Sequence, residues 1–130
     1  MARVYTFRGK SIEDIRKLNN EKFSEMLTSR QRRAIKRMGH EYKELIEKVN
    51  EHIKEKSDKI IKTHIREAVI LPSWVGLRFG IYNGKEFKDM VITEEMLGHR
   101  LGEFSFSTKR VLHSAPGIRA TRGSKFLEVK

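Results

Sequence analysis

The sequence contains no cysteine and only two prolines among its 130 residues. Without cysteine the chain can form neither a disulfide nor a thiolate zinc site, which suits a reducing compartment such as the cytosol. No apolar run approaches the roughly 18 residues that a membrane-spanning helix needs, and residues 1–8 lack the apolar region of a secretory signal. We therefore expect an intracellular, soluble protein without a membrane partner.

Acidic residues are too few to balance the basic ones. The chain has 17 Asp and Glu against 28 Lys and Arg, giving a net charge of +11 and a pI near 10.1. Hydrophobic residues make up 38% and charged residues 35%, which predicts one domain with a small core. The charge favours a polyanionic partner, with RNA or DNA ahead of an acidic membrane surface.

The densest basic segment is residues 29–38, which contain five cationic residues and no acidic one. On a helix Arg30, Arg33 and Arg37 would form one stripe, with Arg32 and Lys36 beside it. Neighbouring like charges repel on a helix surface, and the phosphates of a partner would relieve that repulsion. The segment therefore predicts a phosphate-binding helix.

Helices are predicted before residue 57 and strands after it. A capping box at Ser11 and Asp14 begins one helix, Asn20 is expected to cap a second, and residues 41–56 form an amphipathic packing helix. Residues 77–82 alternate like a strand, and Asn83-Gly84 is a strong hairpin signal. The return strand, at about 86–92, alternates less cleanly, which predicts a longer loop or a bulge.

Residues 92–106 predict a rigid platform that presents basic groups. Gly98 stands where a short helix would need a left-handed exit, and Gly102 is expected to free the backbone again. Between the two glycines, His99 and Arg100 would project on a short loop. Such a loop is better suited to holding an anion than to catalysis.

Positive signs of catalysis are absent from the sequence. His99 and Glu103 have the i, i+4 spacing of helical metal ligands, but the glycines argue against a helix and no third ligand is indicated. Phosphate-binding loops, nucleophile elbows and dinucleotide fingerprints are also missing. We expect no enzymatic activity, no metal and no cofactor. An RNA-cleaving enzyme using His99 and Glu103 is the least favoured alternative.

The second half of the chain contains several longer motifs, which are Ile61-Lys62-Thr63-His64-Ile65-Arg66, Ile70-Leu71-Pro72, Tyr82-Asn83-Gly84-Lys85-Glu86-Phe87, Pro116-Gly117-Ile118 and Ala120-Thr121-Arg122. The most diagnostic segment is 92–104, followed by Lys109, Val111 and His113. Together these motifs resemble the universal small-subunit ribosomal protein family numbered nineteen, whose eukaryotic member is called fifteen. The first half resembles the archaeal and eukaryotic form through Tyr5-Thr6-Phe7-Arg8-Gly9 and residues 29–33.

This resemblance implies an α+β fold with a small three-stranded mixed sheet and short helices. Residues 1–56 would be a helical N-terminal extension, 57–113 an RNA-binding core and 114–130 a basic C-terminal tail. The implied partners are small-subunit ribosomal RNA in the subunit head, a neighbouring ribosomal protein of family thirteen and, through the tail, transfer RNA. No homo-oligomer is expected. The residues implied to face RNA are Lys62, Thr63, Arg66, His99, Arg100, Lys109, Arg110 and His113, with Arg119, Arg122 and Lys125 in the tail.

The sequence also departs from the family pattern. Ser73-Trp74 replace an acidic residue and Met after Leu-Pro, which we interpret as a change at a protein contact. Arg119 and Gly123 alter the tail motif, and Arg119 adds a positive charge that could contact phosphate.

The runner-up function is a free-standing DNA-binding regulator that reads bases from the helix at 29–38, where Gln31 is the one base-reading candidate.

Overall fold

Four helices and two small sheets make up the protein in the computed structural model, which describes residues 3–113. The helices are α1 (Ile12–Arg16), α2 (Asn20–Glu25), α3 (Ser29–Lys36) and α4 (His40–Lys54). The strands are β1 (Thr6–Phe7), β2 (Lys10–Ser11), β3 (Ile61–Thr63), β4 (Arg78–Tyr82) and β5 (Phe87–Val91). Short 3₁₀ turns cover Pro72–Trp74, Glu94–Met96 and Leu101–Phe104. The predicted α+β class is confirmed.

The helix starts follow their capping residues. The Ser11 hydroxyl accepts a hydrogen bond from the Asp14 backbone N–H at 3.3 Å, which confirms Ser11 as the cap of α1. The Asp14 carboxylate accepts from the Ser11 hydroxyl at 2.7 Å rather than from its backbone N–H, so the reciprocal bond of a full capping box is not made between these two residues. The cap of α2 is Asn19 rather than Asn20, so that prediction was wrong by one residue. Both asparagines can cap, but the Asn19 side chain already accepts from the next backbone N–H at 2.8 Å.

The larger sheet has the order β3-β4-β5 and is mixed, as the resemblance implied. Strand β3 runs parallel to β4, with Ile61 opposite Phe79, while β4 pairs antiparallel with β5. Tyr82 lies opposite Phe87, so the hairpin loop has four residues rather than two. The Asn83 side-chain oxygen accepts from the backbone N–H groups of Lys85 and Glu86, both at 3.0 Å. This bonding confirms the predicted longer loop.

One apolar core joins the helices to the sheet. Its fully buried side chains include Phe23 and Val49 from the helices and Phe79 from the sheet. Trp74 is also fully buried, with its ring centroid 5.2 Å from that of Phe79 and 6.3 Å from that of Tyr42. Placing Trp74 at a protein contact was therefore wrong, because its side chain lies inside the core. The division of the chain near residue 56 stays a prediction.

Tyr42 links α4 to the segment that precedes β4. Its hydroxyl donates a hydrogen bond of 2.9 Å to the Val69 carbonyl inside the core. Burial raises the pKa of this hydroxyl well above its ordinary value, an effect that the bond to Val69 partly opposes. The group therefore stays protonated and keeps donating at neutral pH.

Replacing Tyr42 by phenylalanine should lower the free energy of unfolding by about 1–2 kcal/mol, because the buried Val69 carbonyl loses its donor. Urea unfolding followed by Trp74 fluorescence measures this loss. The matched control is Tyr82→Phe, whose hydroxyl bonds to the Gly84 carbonyl at an exposed site, and it should change stability by less than about 0.5 kcal/mol. Equal losses in both variants would contradict the assigned role.

Candidate RNA-binding surface

The arginine stripe of α3 is exposed, as the spacing predicts. Arg30, Arg33 and Arg37 face solvent, as does Lys36 beside them. No carboxylate lies in the first turn of α3, and Thr28 occupies its N-cap position. Gln31 is half-buried, and its side-chain oxygen is hydrogen-bonded to the Thr28 hydroxyl. That bond ties the one base-reading candidate to the start of its own helix, which weakens the case for a DNA-reading helix.

The stripe forms one wall of a cleft with a volume of about 640 Å³. The N-terminus of α4 forms a second wall, and Ile65, Glu67 and Ala68 form a third. Arg100 completes the lining, so four arginines surround one space. Apolar groups of Ala34, Met38, Tyr42 and Ile65 line the rest of the cleft.

The electrostatics of this cleft favour an anion. In residues 3–113 the ion pairs join His40 to Glu44 and His99 to Glu103, so none of the four arginines is paired with a carboxylate. Glu41 and Glu67 also line the cleft, which leaves an excess of positive charge. The Arg100 Nε is buried and has no hydrogen-bond partner in the described part of the chain.

The start of α4 adds to this positive potential. Its N-cap is Gly39, which has no side chain to accept from the first backbone N–H groups. The first turn of a helix carries unpaired N–H groups and the positive end of the helix dipole. Gly39, His40 and Glu41 at this end of α4 line the same cleft as the arginines, so the helix end and the arginines would both attract an anion there.

Arg32 is occupied within the protein. Its guanidinium donates to the backbone carbonyls of Ser24, Glu25 and Leu27 at 3.4, 3.1 and 3.1 Å. Ser24 and Glu25 lie in the last turn of α2, and Leu27 follows the helix. Arg32 thus fixes α3 against α2, and its predicted contact with RNA stays a prediction.

Arg66 and Thr63 have internal partners as well. The Arg66 guanidinium donates to the carbonyls of Tyr82 and Gly102 at 2.8 and 2.9 Å and also to that of Ser105. Thr63 is 6% exposed, and its hydroxyl accepts from the Ile65 backbone N–H at 3.1 Å. Both side chains therefore hold the sheet and its neighbouring loops together. Their contacts with RNA stay predictions.

The glycine-bracketed platform is partly as predicted. Gly98 has a φ of +76°, which confirms the left-handed exit. Gly102 is needed for a different reason, since a Cβ there would lie 2.9 Å from the Arg66 Cβ and 3.0 Å from its carbonyl oxygen. The expectation that Gly102 frees the backbone was therefore wrong. It allows two segments to approach closely instead.

His99 and Glu103 do come together, across the 3₁₀ turn at Leu101–Phe104. The His99 Nδ1 lies 2.7 Å from a Glu103 carboxylate oxygen, and both side chains are about half exposed. Within residues 3–113 no third metal-binding side chain joins them. The pair orients the His99 ring at the protein surface.

The other predicted RNA-facing residues do not line this cleft. Lys62 is exposed on β3, and Lys109, Arg110 and His113 are exposed in the irregular segment after the last turn. Arg119, Arg122 and Lys125 lie outside the described residues. The structure thus brings Arg30, Arg33, Arg37 and Arg100 together and leaves the remaining cations apart.

The structure also contains an aromatic cluster that the sequence patterns did not predict. The rings of His64, Tyr82 and Phe87 lie against one another at the loop end of the sheet, with centroids 4.6–5.2 Å apart. His64 is exposed and the other two rings are half-buried. The available signal was the strand alternation, which places all three on the outward face.

These features define a class, that of small basic α+β proteins with an unpaired arginine cleft. Comparison with known proteins then narrows it to a family. The family model described as Ribosomal protein S19 matches residues 32–113, more than half of the chain. A relative from Saccharolobus solfataricus is 47% identical over 128 residues, and one from Metallosphaera sedula is 43% identical over the same length. Each alignment covers 97% of this chain and 91% of the relative, and both relatives are named small ribosomal subunit protein uS19.

The chain therefore belongs to the ribosomal protein S19 family. The resemblance seen in the sequence is confirmed, including its archaeal type, since both relatives are archaeal. Family membership implies a structural role on the cytoplasmic ribosome, within a ribonucleoprotein that carries out translation. In residues 3–113 no helix is long and apolar enough to cross a membrane.

Proposed function

We propose that this chain is a structural constituent of the small ribosomal subunit that binds small-subunit ribosomal RNA in the subunit head. The observation that carries the proposal is the cleft lined by Arg30, Arg33, Arg37 and Arg100, none of which is paired with a carboxylate in residues 3–113. The names of the two archaeal relatives, which place those proteins in the small subunit, support it.

The proposed mechanism is neutralisation of phosphates from several RNA segments. Each phosphate that a protein cation neutralises releases condensed counterions, so binding weakens steeply as salt rises. In the cleft, guanidinium groups can form paired hydrogen bonds with one phosphate, a geometry that lysine cannot supply. The exposed cations Lys62, Lys109 and Arg110 would contact further phosphates outside the cleft.

Two finer contacts belong to the same proposal. One partner would be a neighbouring ribosomal protein of family thirteen in the subunit head. The other would be transfer RNA near the decoding region, contacted by the tail at residues 114–130 through Arg119, Arg122 and Lys125. Both follow from the family resemblance and from the basic composition of the tail.

Replacing Arg30, Arg33 and Arg37 together by alanine should weaken binding to a transcript of the small-subunit head RNA and flatten its salt dependence. Each lost phosphate contact removes about 0.7–0.9 from the slope of log K against log salt, so the slope should fall by about 2–3. Filter binding or fluorescence anisotropy over a salt series measures both quantities.

The matched control replaces Lys43, Lys48 and Lys54 by alanine on the exposed side of α4. This variant removes the same total charge at a face where lysines alternate with glutamates, and its slope should stay close to that of the parent. Equal salt slopes in the two variants would mean that RNA binding depends only on the net charge of the protein. An unchanged slope in the arginine variant would mean that the stripe does not contact RNA.

Sedimentation of a native lysate tests the assembly itself. The protein should migrate with the small-subunit fraction and stay there after a wash at moderate salt. Migration as a free monomer or dimer would instead favour the DNA-binding regulator. Preference for duplex DNA over the head transcript in the same salt series would then identify that function.

A further inference from the structure

The larger sheet has one face in the core and one face open to solvent. Side chains alternate along a strand, so the inward positions of β3 and β4 include Ile61, Phe79 and Ile81, all buried. The outward positions carry Lys62 and Arg78, which are exposed, and Val91 on β5, which is 50% exposed. The phosphate-binding cleft uses none of these outward residues.

Three rings stand together on this outward face. His64 lies 4.6 Å from Tyr82 and 5.0 Å from Phe87 between ring centroids, and Tyr82 lies 5.2 Å from Phe87. Tyr82 and Phe87 are directly opposite in the β4–β5 register, and His64 follows β3 at its next outward position. The sheet therefore assembles from three chain segments an aromatic surface that reaches solvent.

Gly80 occupies the centre of the same face, between Lys62 on β3 and Asp89 on β5. A Cβ at Gly80 would lie 3.2 Å from the Ile60 Cγ2 and 3.3 Å from the Lys62 Cγ. Those neighbouring side chains cover Gly80, which is buried. Ile60 and Lys62 therefore form the surface beside the rings.

Charge on this face complements a polyanion. The Lys62 Nζ lies 5.5 Å from the Phe87 ring centroid, and the exposed Lys85 lies in the adjoining loop. Asp89 and Glu86 are the nearby acids, and neither forms an ion pair with these lysines in the described part of the chain. Aromatic rings flanked by cations are the combination on which unpaired nucleotides stack, with bases on the rings and phosphates on the lysines.

We propose that the outward face of the β3–β4–β5 sheet binds unpaired nucleotides of RNA by stacking bases on the rings of His64, Tyr82 and Phe87. The inference deepens the proposed function, because the RNA would be the one that the arginine cleft holds by its phosphates. The two sites differ in what they recognise. The cleft responds to phosphate charge, whereas the sheet requires a base that is free to leave a helix.

The test compares short single-stranded RNA containing 2-aminopurine with a blunt RNA duplex of the same sequence. The double variant His64→Ala with Phe87→Leu should lose at least about fivefold in affinity for the single strand, since stacking on one ring contributes that much or more. Its affinity for the duplex should stay within twofold. Quenching of 2-aminopurine on binding should also be reduced.

Phe106→Leu is the matched control, because Phe106 is an exposed ring, with 69% of its surface accessible, outside the cluster. This variant should bind both RNAs as the parent does. Equal losses for single strand and duplex, or the same loss in the control, would overturn the stacking proposal. The arginine variant of α3 should weaken both RNAs, so failure of the cleft is distinguishable from failure of the sheet.

A measurement on the parent protein covers the case in which the double variant fails to fold. Ring-proton resonances of His64 and Phe87 should move upfield on titration with the single strand and stay in place with the duplex. Resonances that do not move with either RNA would overturn the proposal. If the rings were nevertheless needed to keep the protein on the small subunit in the sedimentation assay, we would assign this face to a protein partner.

Discussion

Replacing Trp74 by alanine is expected to lower the free energy of unfolding by about 3–5 kcal/mol, the range observed for large aromatic residues removed from cores. Trp74 is fully buried between the rings of Tyr42 and Phe79, so its removal leaves a cavity where α4 meets the sheet. Urea unfolding followed by far-ultraviolet circular dichroism is the suitable measurement, because the chain has no other tryptophan to serve as a fluorescence probe.

Two further variants calibrate that loss. Ser73→Ala changes the exposed neighbour and should alter stability by less than about 0.5 kcal/mol. Trp74→Phe should cost less than Trp74→Ala, because it keeps most of the ring volume and removes the indole N–H, which has no partner in the described structure. A loss below about 1 kcal/mol for Trp74→Ala would show that the ring does not support the core.

Replacing Arg66 by alanine should also destabilise the protein, by about 3 kcal/mol. Three backbone carbonyls, those of Tyr82, Gly102 and Ser105, would lose their donor in a partly buried site. Hydrogen bonds to charged groups contribute about 1.5–3 kcal/mol each, and partial access of water reduces their sum. Lysine should restore little, because a single ammonium cannot reproduce the planar fork that reaches three acceptors. Thermal or urea unfolding of the three proteins measures these differences.

Lys62→Ala is the matched control for Arg66, since it removes an exposed cation from the neighbouring strand. Its stability should stay within about 0.5 kcal/mol of the parent. The comparison also separates structural from RNA-binding roles. If Arg66→Ala kept full stability but lost affinity for RNA, Arg66 would be an RNA contact, and the three carbonyl bonds would contribute little.

Local patterns predicted the features that depend on local interactions. The helix cap at Ser11, the strand before Asn83 and the left-handed Gly98 each involve residues within a few positions of one another. The arginine stripe of α3 follows in the same way from helical spacing. Helix periodicity also placed α4 to within two residues at its C-terminal end.

Contacts between distant segments could not be read from those patterns. Arg66 bonds to carbonyls that lie 16 to 39 residues further along the chain, so its sequence neighbourhood gives no sign that it is occupied. The close approach at Gly102 has the same origin, since it depends on where Arg66 lies. Likewise, Arg100 reaches the α3 cleft only because the chain folds back between them.

The backbone pairing around Arg100 fixes the position of this residue in the cleft. Arg100 lies opposite Val69 in an antiparallel bridge, flanked by bonds from Ile70 to His99 at 2.8 Å and from Leu101 to Ala68 at 3.0 Å. The Val69 carbonyl also accepts a hydrogen bond from the Tyr42 hydroxyl, and this bond links α4 to the same bridge. If the cleft binds phosphate as proposed, the backbone of Arg100 would need no reordering on binding, whereas the exposed arginines of α3 would have to order their side chains around the phosphate.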